Sequence, residues 1–437
     1  MEEVANIQVY KFGGASVKDA AAIRNLCRIV REHGPRGPLL IVVSAMGKTT
    51  NALEEIFGLA EAGLAFEREL RALEAYHREA TAALLLQQPA AAVHWEAADA
   101  EIRQVVDELR GELIDLQTAR VAANDEGYDR VVSTGERLSA GLVHAALSAE
   151  FTASTVAYLA APLLLRTDES WREGKVNWPL TEAQTRRAVA GAFAAGAKIL
   201  VTEGFIGGTA DGRTTTLGRE GSDYSAAIFA YCLRAESVTI WKDVAGLLNA
   251  DPKIFPDTVR YPEISYRETI EMAYYGASVI HPKTLKPLAD RGIPLRVKSF
   301  LDPTAEGTLI HDCQHPALAP AFIRKTDQCL LSFESKDFAF ISEENLEVIF
   351  GALAQVKLKI NVMQNSAISF SVCTDFSERR IGQLLDLLRA QFILHYNTGL
   401  TLFTIKNYDA ASVAQLTAGK RLLLEQRTRS TFQFVCK

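Results

Sequence analysis

The sequence predicts an α/β protein in which a mainly parallel β-sheet is sandwiched by helices and is followed by smaller βαββαβ units. Over the first ~300 residues, short β-branched runs alternate with helical stretches, a pattern typical of a parallel sheet covered by helices. After residues 316–320 (PALAP) the order becomes strand, helix, two strands, helix, strand, which indicates a split βαβ unit.

The predicted strands of the first part mostly end where Gly, Ser or Thr follow. Ligands of open α/β sheets bind at the carboxyl ends of the strands, so we expect a site at that edge. The candidates are residues 7–12, 39–44, 130–133, 152–156, 198–202, 237–241 and 294–297.

Residues 51–124 are rich in Ala, Leu and Glu, with apolar residues at helical spacing, and predict a helical insertion beside the site. We therefore expect a first domain at 1–310 that contains this insertion at about 51–125.

The tail at 322–437 predicts one βαββαβ unit and the start of a second. The first unit has strands at 329–333, 360–364, 368–374 and 392–396 and helices at 345–355 and 380–391. The second, incomplete unit has a strand at 400–405, a helix at 410–416 and a last segment at 422–436.

Composition excludes several classes of function. The 437 residues carry 47 basic and 53 acidic side chains, a net charge of −6 without a block of like charge, so we expect no nucleic-acid partner. No apolar run approaches the roughly 20 residues that span a bilayer, and acids stand where a signal peptide is basic. Six dispersed cysteines fit a reducing compartment. We expect a cytoplasmic protein with no membrane partner and no disulfides.

A metal site is also not expected. The nearest candidate is the stretch 311–315 (HDCQH), and one loop of mixed ligand types rarely closes a tetrahedral site without a second ligand pair. A solvated loop is the alternative that we favour.

Two glycine-rich turns follow the first two predicted strands. Residues 9–17 (VYKFGGASV) lead from a strand through Gly13 and Gly14 towards a helix, and backbone N–H groups at such a turn can approach an anion. Lys11 is placed at the same end, although a tight turn with an exposed lysine explains it equally well. Residues 47–49 (GKT) resemble the end of a P-loop, but Val42 stands where that motif needs glycine.

Three later segments place polar groups after strands. Residues 133–137 (STGER) put Glu136 at the mouth of the sheet, unless it is an ordinary acid at a helix N-terminus. Residues 202–227 concentrate hydroxyls, glycines, Arg219 and Asp223 before an Ala-rich helix, which predicts a ligand site. Residues 240–253 supply Asp243 and Lys253 for a nucleotide, with a solvated turn as the alternative.

These segments, in this order, resemble the amino-acid kinase superfamily and, within it, the aspartate kinases. The resemblance rests on residues 11–17 (KFGGASV), 213–223 (RTTTLGREGSD) and 281–285 (HPKTL), and more loosely on a tail similar to paired ACT domains. It implies the amino-acid kinase fold and transfer of the γ-phosphoryl group of ATP to the side-chain carboxylate of L-aspartate.

The resemblance also implies a role for each candidate residue. Lys11 would stabilise the moving phosphoryl group and Asp223 would hold Lys11 in place; these two are the expected catalytic residues. The expected substrate-binding residues are Ser44, Thr50, Glu136, Phe205, Arg219 and Ser222. The expected nucleotide-binding residues are Lys11, Gly13, Gly14, Ser16, Lys242, Asp243, Leu248 and Lys253.

The implied chemistry is consistent with these residue types. A carboxylate with a pKa of about 3.9 is ionised at neutral pH and needs no general base, only charge neutralisation and alignment. A lysine, two glycine-rich anion sites and Mg²⁺ on the phosphates of ATP suit that task. Arg219 would bind the substrate α-carboxylate and Glu136 its ammonium. The partners would be aspartate, ATP and a second copy of the chain in a homodimer or a higher homo-oligomer, joined through the ACT-like region.

This chain departs from the family pattern at three points. Ala15 replaces the common threonine, Glu220 stands where many members have glycine, and Ser278 replaces a lysine directed at the nucleotide.

The tail of the chain also departs from the family pattern. In lysine-sensitive members a glycine at the start of the first ACT helix approaches the effector and an acid on the next strand meets its ammonium, whereas here Glu344 and Met363 stand nearby. We therefore expect a weak response to lysine or none.

Two other functions stay open at this point. A kinase for glutamate or acetylglutamate would use the same superfamily motifs, although the ACT-like tail and residues 214–219 favour aspartate. A metabolite sensor without catalysis would keep the tail and lose the charged residues, whereas Lys11, Glu136, Arg219 and Asp223 are present.

Overall fold

The computed structural model describes residues 6–118, 124–277, 280–314, 318–336 and 339–437. Ser278 and His315, singled out above, lie outside these ranges. The chain forms two compact units. The first comprises Met1–Leu247, Arg260–Thr269 and Ile280–Gln314, and the second comprises Leu248–Val259, Ile270–Val279 and His315–Lys437.

The elements up to residue 314 alternate between strands and helices. Their strands are β1 (Gln8–Phe12), β2 (Leu39–Val43), β3 (Val156–Tyr158), β4 (Ile199–Glu203), β5 (Ile206–Gly208), β6 (Thr214–Thr216), β7 (Ser237–Lys242), β8 (Glu263–Ser265), β9 (Leu295–Ser299) and β10 (Thr308–His311). Their helices are α1 (Ala20–His33), α2 (Thr49–Glu61), α3 (Glu67–Gln87), α4 (Ala92–Gln117), α5 (Asp125–Glu150), α6 (Ala161–Leu164), α7 (Trp178–Ala194), α8 (Gly221–Leu233), α9 (Tyr266–Tyr275) and α10 (Pro282–Asp290).

The main sheet of the first unit has, within the described ranges, eight strands in the order β3-β4-β2-β1-β7-β9-β10-β8. The pairings from β3 to β9 are all parallel, and β10 is antiparallel to β9. β2 and β4 are buried along their whole length and β1 along nearly all of it, as expected for central strands of a parallel sheet. The arrangement brings the ends of β1, β2, β4 and β7 to one edge.

Five of the predicted strands of this sheet are confirmed within a residue or two, and two differ. The strand predicted at 152–156 begins at Val156, after a 3₁₀ turn at Ala153–Thr155. The strand predicted at 130–133 is wrong, because these residues lie inside the 26-residue helix α5. Asn124 caps this helix by accepting a hydrogen bond from the Gly127 N–H at 2.7 Å. Most of α5 is buried, so its apolar residues surround the helix and imitate a buried strand.

The helical insertion is formed by α2, α3 and α4, which pack with α5 around an apolar core of their own. Its largest buried members include Leu53, Phe57, Phe66 and Leu109. The helices predicted between residues 51 and 124 are thus confirmed for the described part of that segment, and residues 119–123 lie outside it.

The glycine turn after β1 differs from the predicted strand-turn-helix. Gly14–Val17 forms a single 3₁₀ turn, and α1 begins only at Ala20, where Asp19 accepts a hydrogen bond from the Ala22 N–H at 2.8 Å. The N-terminus of α1 is therefore not directly at the glycines.

The second unit contains one antiparallel sheet of six strands in the described ranges, ordered β12-β13-β11-β14-β16-β15. Two strands of 15 residues, β11 and β14, run side by side at its centre. The elements are β11 (Ala321–Ser335), α11 (Glu343–Gln355), β12 (Ile360–Asn365), β13 (Ser369–Asp375), α12 (Glu378–Leu388), β14 (Phe392–Lys406), α13 (Ala410–Thr417), β15 (Leu422–Arg427) and β16 (Thr431–Cys436).

The predicted βαββαβ order of the tail is confirmed, but two of its boundaries are wrong. The separate strands predicted at 392–396 and 400–405 are one strand, β14, and the last segment at 422–436 is the hairpin β15–β16. Gly399, with φ +67°, lies inside β14, although a glycine at this point of the sequence indicates the end of a strand.

No helix in the described part of the chain has the length and apolar character needed to cross a membrane. The same residues bring together no group of three or more His, Cys, Asp or Glu side chains that could hold a metal ion.

Candidate active site

A cavity of about 550 Å³ lies in the first unit at the carboxyl ends of β1, β2, β4 and β7. Ten of the predicted site residues line it: Lys11, Gly14, Ser44, Thr50, Glu136, Phe205, Arg219, Ser222, Asp223 and Lys242. The sequence had placed these residues on five separate segments.

A buried carboxylate between two lysines is the electrostatic centre of the cavity. Lys11 Nζ lies 2.6 Å from Asp223 Oδ1, and Lys242 Nζ lies 3.3 Å from Asp223 Oδ2. The two lysines come from the ends of the adjacent strands β1 and β7, and Asp223 from the first turn of α8. Burial by itself would raise the pKa of Asp223, but the charges of Lys11 and Lys242 lower it below its ordinary value. The cluster carries one net positive charge and attracts an anion.

Glu136 supplies a second buried carboxylate to the same cavity. Its Oε1 accepts a hydrogen bond from the Ala45 N–H at 3.1 Å, which ties α5 to the loop after β2. Its Oε2 is buried and has no hydrogen-bond partner among the described residues. Burial raises the pKa of Glu136 to about 8. An unpaired, desolvated carboxylate of this kind is suited to receive a cation from a ligand.

Glu136 lines the cavity, as expected, but the secondary structure predicted around it was wrong. It was expected just after a strand, and it lies in the middle of α5. Gly135 permits this placement, because a Cβ there would lie 3.0 Å from Ala45 Cβ and 3.2 Å from Leu53 Cδ1.

The start of α8 forms another wall of the cavity. Glu220, the residue before the helix, has φ 54° and ψ 28°, a left-handed conformation that glycine adopts more readily. A glycine, which the resemblance implies at this position, would adopt this conformation without strain. Arg219 beside it is exposed and has no hydrogen-bond or ion-pair partner in the described ranges, so its guanidinium is available to an anionic ligand.

The loop after β4 lies directly on the start of α8. A Cβ on Gly204 would lie 2.5 Å from Ser222 Cβ, so only glycine fits there. Phe205 follows with φ 67°, and its N–H donates to Ser225 Oγ at 2.9 Å. The contact holds Phe205 and Ser222 in the wall of the cavity.

The glycine turn after β1 lies against the loop after β2. The Gly47 N–H donates to the Gly14 carbonyl at 3.0 Å, and a Cβ on Gly14 would lie 2.8 Å from both the Ala45 and Gly47 carbonyl oxygens. Ser16 is buried, and its hydroxyl donates to the Trp241 carbonyl at 3.3 Å. Ser16 thus ties the turn to β7.

Five predicted nucleotide residues are not among the side chains that line the cavity in the described structure: Gly13, Ser16, Asp243, Leu248 and Lys253. Asp243 is exposed just after β7, and Leu248 and Lys253 belong to the second unit. Their nucleotide roles stay predictions.

One wall of the cavity is formed by residues that were not predicted from the sequence: Glu54, Tyr128 and Arg172. Tyr128 donates its hydroxyl proton to Glu54 Oε1, and the Arg172 guanidinium carbon lies 3.9 Å from the centre of the Tyr128 ring. Tyr128 and Glu136 are eight residues apart on α5 and share a helix face, which helical spacing would have revealed.

The model of the amino acid kinase family matches residues 6–299 of the chain. That span includes the cavity and the Lys11–Asp223–Lys242 cluster. The chain therefore belongs to the amino acid kinase family.

Its relatives place it more narrowly. An aspartokinase of Chlamydia pneumoniae is 30% identical over 420 residues, which cover 94% of this chain and 88% of the relative. Lysine-sensitive aspartokinase 3 of Escherichia coli (strain K12) is 32% identical over 375 residues, which cover 85% of this chain and 79% of the relative. Within the family the chain belongs to the aspartokinases, ATP-dependent phosphotransferases that act on a carboxyl group.

Solved structures agree with this placement. The crystal structure of E. coli aspartokinase III in complex with aspartate and ADP (R-state) has a TM-score of 0.79 at 28% identity, over 99% of this chain and 96% of the other. The complex of the same enzyme with lysine and aspartate (T-state) has a TM-score of 0.77 at 28% identity, over 98% and 95%. The predicted fold class and the resemblance to aspartate kinases are confirmed.

Proposed function

We propose that this chain transfers the γ-phosphoryl group of Mg-ATP to the side-chain carboxylate of L-aspartate and forms 4-phospho-L-aspartate, the first step of the pathway to lysine, threonine and methionine. The observation that carries the proposal is that one cavity holds a two-lysine cluster and the unpaired carboxylate of Glu136. The first suits a phosphoryl group, and the second suits the ammonium of an amino acid.

The reaction needs charge neutralisation more than proton transfer. A side-chain carboxylate oxygen of aspartate attacks the γ-phosphorus, the bond from that phosphorus to the β,γ-bridging oxygen breaks, and ADP leaves with the electron pair. The attacking carboxylate is already ionised at neutral pH, so no base takes up a proton. Lys11 and Lys242 reduce the repulsion between the two anions, and Asp223 fixes the positions of both lysines.

Glu136 and Arg219 orient the amino-acid substrate in this proposal. The carboxylate of Glu136 pairs with the substrate ammonium, and the exposed guanidinium of Arg219 binds the α-carboxylate. An N-acetylated acid has no ammonium and leaves Glu136 without a partner, so it binds poorly.

Mg²⁺ enters as part of the nucleotide substrate. The phosphates of ATP carry the metal, which supplies further neutralisation of the γ-phosphoryl oxygens. The backbone turn at Gly13 and Gly14 and the side chain of Lys242 bind the phosphates. Cytoplasmic location and a homodimer formed through the second unit stay predictions.

The test is a hydroxylamine-trapping assay with Mg-ATP and, separately, L-aspartate, L-glutamate and N-acetyl-L-glutamate. We expect aspartyl hydroxamate, together with ADP in equal amount, and little product from the other two acids. Equal or higher kcat/KM with glutamate would refute the substrate assignment, and an absence of product from all three acids would refute the proposed activity.

A further inference from the structure

A second cavity in the first unit, of about 310 Å³, is lined by α1, the end of α3, the start of α4 and the end of α5. It shares none of its lining residues with the candidate active site. Its lining residues are Arg24, Cys27, Arg28, Arg31, Leu84, Gln88, Trp95, Ala146 and Glu150. The volume is at the lower end of the range for small-molecule sites.

Two side chains that line this cavity carry a buried hydrogen-bond donor without an acceptor in the described part of the protein, and one of them, Trp95, also lines a neighbouring cavity. Trp95 is 1% exposed, and its indole Nε1 is unpaired. Arg24 Nη1 is also buried and unpaired. Buried donors in folded proteins are nearly always satisfied, so two such donors at one cavity indicate an acceptor that the chain itself does not supply.

The charge of the lining favours an anion. Arg24, Arg28 and Arg31 lie along one face of α1, and the opposing charge comes from Glu150. Glu150 forms an ion pair with Arg31 and accepts a hydrogen bond from Gln88 Nε2 at 3.3 Å. Burial and the charge of Glu150 raise the pKa of Cys27 to about 12, so its thiol is neutral. The lining residues therefore carry two net positive charges in a chain whose net charge is −6. One of these charges is offset by Glu32, which lies outside the lining and pairs with Arg31 at 3.3 Å.

The rest of the lining is apolar. Leu84 and Ala146 contribute aliphatic surface, and Trp95 adds an aromatic ring beside its unpaired N–H. A bare inorganic anion would leave this surface without a contact, whereas an anion with a short hydrocarbon chain covers it.

We propose that this cavity is a binding site for a small organic anion, whose carboxylate or phosphate head accepts hydrogen bonds from Arg24 and Trp95 and whose apolar chain packs against Leu84 and Ala146. Arg28, whose guanidinium donates two hydrogen bonds to Asn25 Oδ1 at 2.7 and 3.2 Å, is exposed and adds positive charge to the lining. The site is separate from the site for aspartate and ATP and does not depend on the proposed reaction.

The test follows the indole N–H resonance of Trp95 in the full chain labelled with ¹⁵N-tryptophan, assigned with Trp95→Phe. The probes are 4-methylpentanoate, butyl phosphate and inorganic phosphate. We expect a saturable downfield shift with at least one of the two organic probes, with half-saturation below about 1 mM, and a much weaker response to inorganic phosphate. Saturating L-aspartate should not displace the probe.

Two variants make the outcome decisive. Arg24→Gln removes the unpaired charge from a partly exposed side chain and should weaken binding at least about tenfold. Arg36→Gln changes an exposed arginine beyond the end of α1 and should leave binding unchanged. Thermal melting and kinase assays verify that both variants are folded. The proposal is overturned if neither organic probe shifts the Trp95 resonance saturably, if inorganic phosphate binds as tightly as the organic probes, or if Arg24→Gln binds them like the unchanged chain.

Discussion

Lys11 is the side chain on which the proposed phosphoryl transfer most depends. It is 7% exposed, lies one residue before the end of the central strand β1 and pairs with Asp223. If it neutralises charge that develops on the transferred group, Lys11→Ala should lower kcat by a factor on the order of 10² or more, with a smaller change in the aspartate KM. Steady-state kinetics with aspartate varied at saturating ATP measure both quantities.

Lys198→Ala is the matched control for this prediction. Lys198 is an exposed lysine just before β4, at the amino end of the same sheet, and its removal should leave kcat unchanged. A Lys11→Ala enzyme with unchanged kcat and a raised KM would show that Lys11 binds substrate without acting in the transition state.

Glu136 makes the binding of aspartate depend on pH. Its pKa is raised to about 8, so in the free enzyme below pH 8 the carboxyl is mostly protonated and cannot pair with an ammonium as an anion. As pH rises towards 8 the ionised fraction grows, and the aspartate KM should fall by up to about tenfold per pH unit. Aspartate KM measured from pH 6.5 to 8.5 tests this prediction.

Glu136→Gln should remove that dependence. The variant cannot ionise at this position, so its aspartate KM should be high and nearly constant over the same pH range, while its ATP KM changes little. A wild-type aspartate KM that is constant or that rises with pH would contradict the role given to Glu136.

A site residue could be predicted from the sequence where the residues around it show that it lies at the end of a strand or at the start of a helix. Lys11 and Lys242 lie near the ends of apolar strands, and Asp223 lies in the first turn of an Ala-rich helix. All three are therefore expected at the same edge of the sheet. Tyr128 and Arg172 could not be found in this way. Tyr128 reaches the cavity through a helix that was taken for a strand, and Arg172 through a loop that is held by tertiary hydrogen bonds.

At the scale of elements, Asp129 on α5 holds the loop of Arg172 against β6. It is fully buried and accepts hydrogen bonds from the Arg172 N–H at 3.0 Å and from Thr216 N and Oγ1 at 2.8 Å each. Asp129→Ala leaves buried donors unpaired and should lower the free energy of unfolding by on the order of 3 kcal/mol and raise the aspartate KM. Denaturant unfolding and kinetics measure the two effects.

Asp125 on the same helix supplies the control. It is exposed and pairs with the Arg172 side chain at 2.5 Å, so Asp125→Asn should change stability by less than about 1 kcal/mol. A loss of stability in Asp125→Asn as large as that in Asp129→Ala would contradict the greater weight given to the buried hydrogen bonds of Asp129.

The start of α11 and the strand β12 give a prediction about feedback. Glu344 is exposed in the first turn of α11, and Met363 is 47% exposed on β12. The Glu344 charge would repel an effector carboxylate, and Met363 offers no partner to an ammonium. We expect L-lysine and L-threonine, alone or together, to cause no inhibition at sub-millimolar concentration with sub-saturating aspartate. Lysine-sensitive aspartokinase 3 of E. coli, assayed alongside, is the positive control, and comparable inhibition of this chain would refute the prediction.

Most helices and strands could be predicted because the spacing of their apolar residues and the residues at their ends indicate the same type of element. The strand predicted at 130–133 failed because α5 is buried nearly all round, and burial removes the polar face that identifies a helix in a sequence. The two boundaries misplaced in the tail have a different cause. Gly399 and a polar stretch in β14 are signs of a loop, but pairing with β11 keeps the strand continuous.

At the scale of the whole molecule, each of the two units is built from three separate segments of the chain. Segments before residue 280 belong to the second unit: Asn249 Nδ2 donates to the Pro320 carbonyl at 2.9 Å, and Glu271 Oε2 lies 2.8 Å from Lys406 Nζ. A chain ending at residue 314 loses these partners and should melt more than about 5 °C below the full chain. Differential scanning calorimetry measures this, and an unchanged melting temperature would show that the first 314 residues fold independently.

The central place of β1 in its sheet also has a consequence for biosynthesis. Gln8 pairs with Leu39 on one side and with Ser237 on the other. At usual rates of translation, the roughly 230 residues from Gln8 to Ser237 take on the order of tens of seconds to emerge from the ribosome. During that time Val9 and Phe12 lack their partners on β7, and this unpaired edge of β1 is open to aggregation. Asp223 and Lys242 emerge equally late, so the charged cluster around Lys11 assembles only after more than half of the polypeptide has been made.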